Sequence, residues 1–260
     1  MRDVYIYDAI RTPRARAKES GGLHDLLPHD LLKVLYEHLV ARTGLDPALV
    51  GDVLLGCVTQ HGEQAGNIAK SSAAYAGWPS SVGGLTVNRF CSSSIDAMGM
   101  GMLRIAAGQE DAIVAGGVEM MSRVPMLADQ AKVFLDPAFA ARCQMLMMGS
   151  GADLIATLND VCRAEADAIA VQSQQRAARA RREGYFKSIV PVHNPVKDIT
   201  VSEDECIRAE VNEMDLADLP PAFAGIGAKG VDQLQLASYP ELGEIQHIHT
   251  AGNSPAMADA

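Results

Sequence analysis

The stretch Val87–Asn88–Arg89–Phe90–Cys91–Ser92–Ser93–Ser94–Ile95–Asp96–Ala97 carries the densest signals in the chain. An apolar, β-branched run from Gly84 to Val87 precedes it and reads as a strand. Beyond the cysteine, Ile95, Met98, Met102 and Ile105 recur at the spacing of a helix stripe. Cys91 therefore falls at a strand-to-helix turn, beside the first free amides of the helix. Those amides and the helix dipole favour an anion, so a thiol placed there tends toward the nucleophilic thiolate. Free cysteines are otherwise mostly buried small hydrophobes, and that bland reading stands beside the reactive one.

Between Ser92 and Gly108 only Asp96 and Arg104 are charged. A helix apolar nearly all round is buried on several sides. Gly99 and Gly101 would let another backbone approach closely. The expectation is a buried central helix between layers, its N-terminus aimed at a reaction centre.

The rest of the chain supports an α/β fold. Val4 to Ala9 reads as a strand, and Pro28 to Thr43 as an amphipathic helix with Gly44 as its stop. Asp52 to Val58 is a short apolar strand, Gly66 to Gly77 a small-residue helix, and Asp111 to Gly116 a further strand. Strands alternating with helices imply a mostly parallel sheet with right-handed crossovers. Sites in such sheets form beyond the carboxyl ends of strands, where Cys91 lies.

After Gly117 the rhythm changes. Val118 to Met148 is methionine-rich and aperiodic, which suits core and interface filler. Helices follow from Gly149 to Asp160 and from Glu165 to Glu183. The second is acidic at its start and carries Arg176, Arg179, Arg181 and Arg182 at its end. The helix dipole accounts for that distribution, and recruitment of a phosphorylated ligand is the alternative. Ile189 to Pro191, Ile199 to Val201 and Cys206 to Val211 read as short extended pieces. Ile245 to Thr250 alternates as a strand with His247 and His249 on one face, which suits packing better than catalysis.

With 260 residues, a net charge of −10 and 48% hydrophobic residues, the chain suits one or two domains. The acidic balance argues against nucleic acid as a partner. No apolar run is long enough to span a membrane, and Met1–Arg2–Asp3–Val4 does not open like a signal peptide. Five cysteines, odd in number and widely spaced, fit free thiols in a reducing cytoplasm and no metal site.

Three segments, taken together, resemble the thiolases, the acetyl-CoA acetyltransferase and 3-ketoacyl-CoA thiolase group. They are Asn88–Arg89–Phe90–Cys91–Ser92–Ser93–Ser94, Ala115–Gly116–Gly117–Val118–Glu119–Met120–Met121–Ser122 and Thr250–Ala251–Gly252–Asn253–Ser254. Ala9–Ile10–Arg11–Thr12–Pro13 and Gly56–Cys57–Val58–Thr59–Gln60 extend the likeness. Related ketosynthases share the Cys-Ser-Ser-Ser element, but the Gly-Gly-Val-Glu-Met-Met-Ser segment favours thiolase.

The resemblance implies a layered thiolase-like fold divided into residues 1–118 (catalytic domain), 119–244 (an inserted, helix-rich loop domain that holds CoA) and 245–260 (a return strand). It implies that Cys91 takes an acyl group from a CoA thioester in fatty acid metabolism, with CoA as substrate and no separate cofactor or metal. By the same likeness Arg208, Asn253, Ser254 and Met148 lie along the CoA path. Met147 stands where many members have histidine, Pro255 replaces a usual serine, and an insertion runs from Ala224 to Ile248.

A thiolase also has a second half with a Gly-His-Pro histidine and a Cys-x-Gly cysteine, and neither motif occurs here. Claisen condensation needs a base for the proton α to the thioester and donors for the enolate oxygen. The expectation is that a C-terminal half or partner subunit supplies them, and that the chain oligomerises through the strand leading to Cys91. A non-catalytic CoA-binding or partner subunit is the alternative.

Overall fold

A computed structural model describes residues Met1–Ala260. In chain order the elements are β1 (Ala15–Arg16), α1 (Pro28–Thr43), β2 (Asp52–Gly56), α2 (Ile68–Tyr75), β3 (Gly83–Val87), α3 (Ser93–Ala106) and β4 (Ile113–Gly117). There follow α4 (Lys132–Leu135), α5 (Pro137–Cys143), α6 (Met148–Leu158), α7 (Arg163–Arg182), β5 (Val192–Asn194), β6 (Ile199–Val201), α8 (Glu213–Ala217), α9 (Ala224–Ile226), α10 (Asp232–Ser238) and β7 (Ala258–Asp259).

The chain divides into two compact units. The first comprises Met1–Asp129, Phe186–Cys206 and Met257–Ala260, and the second Gln130–Tyr185 and Ile207–Ala256. The first is built on a parallel sheet in the order β3-β2-β4. Val53, Leu54 and Leu55 of the central strand are buried, as expected of a parallel strand covered on both faces. Leu32, Tyr36, Ile68, Ala69 and Val82 pack on one side of it, and the Tyr36 hydroxyl meets Ser72 Oγ at 2.9 Å. Helix α1 ends at Gly44, whose φ of 70° is the left-handed conformation that lets its N–H reach the Val40 carbonyl.

These compact units do not follow the division at 118/119 and 244/245 expected from sequence. Residues 186–206 pack in the first unit because the Arg11 guanidinium grips both carboxylate oxygens of Asp204, at 2.7 and 2.8 Å. Burial alone would raise the Asp204 carboxyl, but the Arg11 contact and the Arg14 amide outweigh it and hold it below the ordinary carboxylate value. Val192 and Val201 join Leu23, Leu31 and Met120 in a second core cluster. The return to the first unit comes at Met257, where β7 pairs antiparallel with β1.

Three expectations about single elements are corrected. Helix α3 is covered on one face only. The residues that face the sheet are the small ones, Ser93, Ala97 and Gly101, while Ile95 and Leu103 are 72% and 68% exposed and Met98 and Met102 are also outward. A Cβ on Gly101 would meet Ile113 at 3.2 Å, whereas one on Gly99 would meet nothing. The apolar stripe is thus the outer face, because small residues let the helix settle onto the strands.

Val4–Ala9 forms no strand, and Tyr5, Ile6 and Tyr7 are exposed. The segment adds to neither outer edge of the β3-β2-β4 sheet, and its Asp8 instead pairs with Arg42 of α1 at 2.7 Å. Ile245–Thr250 forms no strand either: the Ile248 and His249 amides donate to the Asp153 carboxylate instead of to a ladder. No helix is long and apolar enough to cross a membrane.

Candidate functional site

Strand β3 ends at Val87, and the chain then makes a tight turn before α3. The Asn88 side chain accepts the Phe90 amide through Oδ1 at 2.9 Å and donates from Nδ2 to the Val58 carbonyl at 3.0 Å. Ser93 Oγ accepts the Arg89 amide at 2.9 Å and donates to the Phe90 carbonyl. Phe90 sits at φ 48°, a left-handed conformation that costs a bulky side chain energy unless its surroundings hold it. Cys91 follows as an exposed free thiol, immediately before the N-cap residue Ser92.

Two glycines seat this turn against the sheet. A Cβ on Gly56 would lie 2.5 Å from the Ser94 backbone nitrogen, and one on Gly117 would lie 2.1 Å from Ser94 Oγ. The first turn of α3 therefore rests directly on the carboxyl ends of β2 and β4. Only residues without side chains permit that approach.

Glu119, just beyond β4, braces the neighbouring loop. Its carboxylate accepts the amides of Val58 and Thr59 at 2.8 and 3.2 Å and Gln64 Nε2 at 2.7 Å. Gln64 in turn accepts the Met120 amide at 2.6 Å. Cys57 lies buried beside this cluster. Burial, with the Glu119 charge, pushes its thiol up to about 12, so it stays protonated and inert at neutral pH.

The four residues expected along a CoA path all belong to the second unit. Arg208 donates from its guanidinium to the Gly252 carbonyl at 2.7 Å, which ties it to the Thr250–Ser254 loop. It also borders an open groove of about 580 Å³ with Val211, Leu216 and Leu219. Asn253 is occupied within its own loop: it accepts the Thr250 amide and donates to Asp167 and to the Ile248 carbonyl. Ser254 is half-buried, and Met148 is exposed at the start of α6. Arg176, Arg179 and Arg182 line a second groove of about 410 Å³ together with Glu210.

His247 and His249 converge on one buried carboxylate. Asp153 of α6 meets His247 Nδ1 at 2.8 Å and His249 Nδ1 at 2.6 Å, while His247 Nε2 meets Asp232 of α10 at 3.1 Å. Burial disfavours the charged imidazolium of His247, but the hydrogen bonds to Asp153 and Asp232 outweigh it and raise its pKa above the ordinary 6.5. Both rings are engaged in the packing of the loop, as the sequence reading favoured. No group of three or more His, Cys, Asp or Glu residues is arranged to hold a metal ion.

Sequence reading named Cys91 but missed the residues that shape its turn. Asn88 two residues before Phe90 is an Asx-turn signal that was available. The roles of Glu119, Gln64 and Asp153 were not, since their partners lie 55 to 96 positions away.

A model of the thiolase N-terminal domain matches residues 4–229. The 3-ketoacyl-CoA thiolase of Bacillus subtilis (strain 168) is 36% identical over 236 residues, covering 86% of this chain and 60% of its own length. The beta-ketoadipyl-CoA thiolase of Pseudomonas knackmussii is 39% identical over 240 residues, covering 85% and 59%. The crystal structure of the Bacillus anthracis acetyl-CoA acetyltransferase matches with a TM-score of 0.80 at 29% identity, covering all of this chain and 64% of that one. The chain thus spans about 60% of the length of these curated relatives. An N-terminal domain match over most of the chain, relatives of this similarity and a shared layered α/β fold lead to one conclusion: the chain belongs to the thiolase family.

Proposed function

We propose that this chain is the nucleophile-bearing half of a CoA-dependent acyltransferase of the thiolase type. The observation that carries the reading is the presentation of Cys91: an exposed thiol on a turn held by side-chain hydrogen bonds, immediately before α3. In the first step the Cys91 thiolate attacks the carbonyl carbon of a CoA thioester. The tetrahedral intermediate then expels CoA as its thiolate, leaving the acyl group on Cys91. Residues 119–244, with Arg208, Asn253, Ser254 and Met148, are the proposed CoA-binding part. Asn253 contributes loop shape, because its amide is already engaged.

The second step, Claisen condensation or thiolysis of a 3-ketoacyl-CoA, requires a base and an acid that a C-terminal half or partner subunit supplies in this reading. The outward apolar face of α3 supports such a partner, since a contiguous patch of Ile95, Met98, Met102 and Leu103 marks a surface that another polypeptide covers. Self-association through the β3 edge and a cytoplasmic location belong to the same proposal.

Incubation with acetyl-CoA followed by intact-mass and peptide analysis tests the first step. One acetyl group mapping to Cys91, absent in Cys91→Ala, is the expected result. Equal acetylation of wild type and variant would remove Cys91 from its role. CoA binding with no acylation at all would favour the non-catalytic CoA-binding subunit.

A further inference from the structure

We infer that Asn88 is the positioning residue for the Cys91 nucleophile, acting through the backbone conformation of Phe90; the inference rests on the reading of Cys91 as the acyl acceptor. A phenylalanine at φ 48° is held against its own preference, because the Cβ crowds the backbone there. Two side chains grip the peptide units on either side of it. Ser93 Oγ bridges the Arg89 amide and the Phe90 carbonyl, and Asn88 Oδ1 accepts the Phe90 amide at 2.9 Å. Ser93 belongs to the helix and moves with it. Asn88 is the link to something fixed.

That anchor is the loop after β2. Asn88 Nδ2 donates to the Val58 carbonyl at 3.0 Å, while the amide of the same Val58 is held by Glu119 at 2.8 Å. Glu119 itself is tied through Gln64 to the Met120 backbone. A continuous chain of hydrogen bonds therefore runs from the carboxyl ends of β2 and β4 through Asn88 to the residue before the nucleophile. Asn88 is exposed, so its two bonds are not needed to satisfy a buried group. Their consequence is local: they select the backbone conformation that points the next residue outward. Without them Phe90 relaxes toward negative φ and the Cys91 side chain turns with it.

The exposed position also makes the test clean, since substitution there leaves the core untouched. Iodoacetamide labelling of the full chain, followed by peptide mass spectrometry, reports the rate at Cys91 relative to the exposed thiol of Cys143 in the same molecule. Asn88→Ala removes both contacts. The expected result is a fall of about tenfold in the Cys91-to-Cys143 ratio, the worth of a lost hydrogen bond. Asn88→Ser keeps a neutral acceptor able to reach the amide two residues on but loses the Nδ2 bond to Val58, and restores only part of the ratio.

An unchanged ratio in Asn88→Ala, with the thermal transition of wild type, overturns the assignment. So does a serine variant no better than alanine. If the alanine variant fails to fold, the serine variant decides alone: a ratio below a third of wild type overturns the inference. A parallel arm with acetyl-CoA separates the two readings. Wild type that takes no acetyl group sinks the acyltransferase reading, while the labelling ratio still reports what Asn88 does to the cysteine.

Discussion

The turn at Cys91 and the loop at His247–Thr250 use similar parts for opposite ends. In the first, neutral side chains bind backbone groups and leave a thiol facing solvent. In the second, a fully buried carboxylate gathers two imidazoles and two amides, and nothing reactive is left exposed. Hydrogen bonds to a charge in a low-dielectric interior are strong and costly to break, which suits a structural clamp. Neutral bonds at a surface are weaker and orient without locking, which suits a site that must admit substrate. The lesson is that the more elaborate cluster is the less chemical one.

The sharpest way to break that contrast is to remove the clamp. Asp153→Ala strips the acceptor from the His247 and His249 rings and from the Ile248 and His249 amides at once, and leaves buried donors unpaired. A loss of about 3–5 kcal/mol is expected in chemical denaturation, carried by the second unit. Labelling of Cys91 in the first unit should stay at the wild-type rate under native conditions. A fall at Cys91 equal to that of an unfolded chain would show that the two regions are not separable.

The converse substitution is Gly117→Ala. Its Cβ would meet Ser94 Oγ at 2.1 Å and the Gly56 carbonyl at 2.8 Å, so α3 must lift from the sheet. A destabilisation of about 1–3 kcal/mol is expected, together with slower labelling of Cys91. Here the measurement is a urea melt beside the labelling assay. Unchanged labelling would mean that the seat of α3 does not set the turn.

A smaller effect concerns pH. Folding raises the His247 pKa, so its contribution to stability is fully present below pH 6.5 and is lost as pH climbs through the raised folded value. The melting temperature of the second unit should therefore decline across that window more steeply in wild type than in His247→Gln. Asp153 of α6, Asp232 of α10 and the neighbouring His249 are the titratable groups around it. Parallel pH profiles for the two proteins would assign the stability to packing alone.

The smallest stability effect is predicted for Leu103→Asp on the outward face of α3. Because Leu103 is exposed, the change should stay within about 0.5 kcal/mol for the isolated chain. It should nonetheless abolish association with a co-expressed thiolase C-terminal half, read by size-exclusion chromatography. Retained association would place the partner surface elsewhere.

Much of the first unit was legible residue by residue. The helix Pro28–Thr43 was read with the boundaries observed, because a proline start, a leucine stripe and a glycine stop are local signals. The strand before Cys91 and the helix after it were equally local. The orientation of α3 was not: its apolar stripe looked like the buried face, and the small residues were in fact the ones against the sheet. Hydropathy cannot rank two apolar faces of one helix; the shape of the opposing strands does. Val4–Ala9 and Ile245–Thr250 show the same limit. Each has strand-like residues, but neither pairs with the β3-β2-β4 sheet, because hydrogen bonds and ion pairs to distant side chains hold the segments elsewhere.

By itself the sequence determined the layered α/β class, the position of a cysteine at a strand-to-helix turn and membership of the thiolase family, since each depends on periodicity or on contiguous motifs. Only the tertiary structure decided which face of α3 points outward, which cysteine is locked and which is presented, and that His247 and His249 serve a carboxylate. Those outcomes depend on residues dozens of positions apart meeting at about 3 Å, a distance at which hydrogen bonds form and sterics decide. Chain proximity carries no record of it.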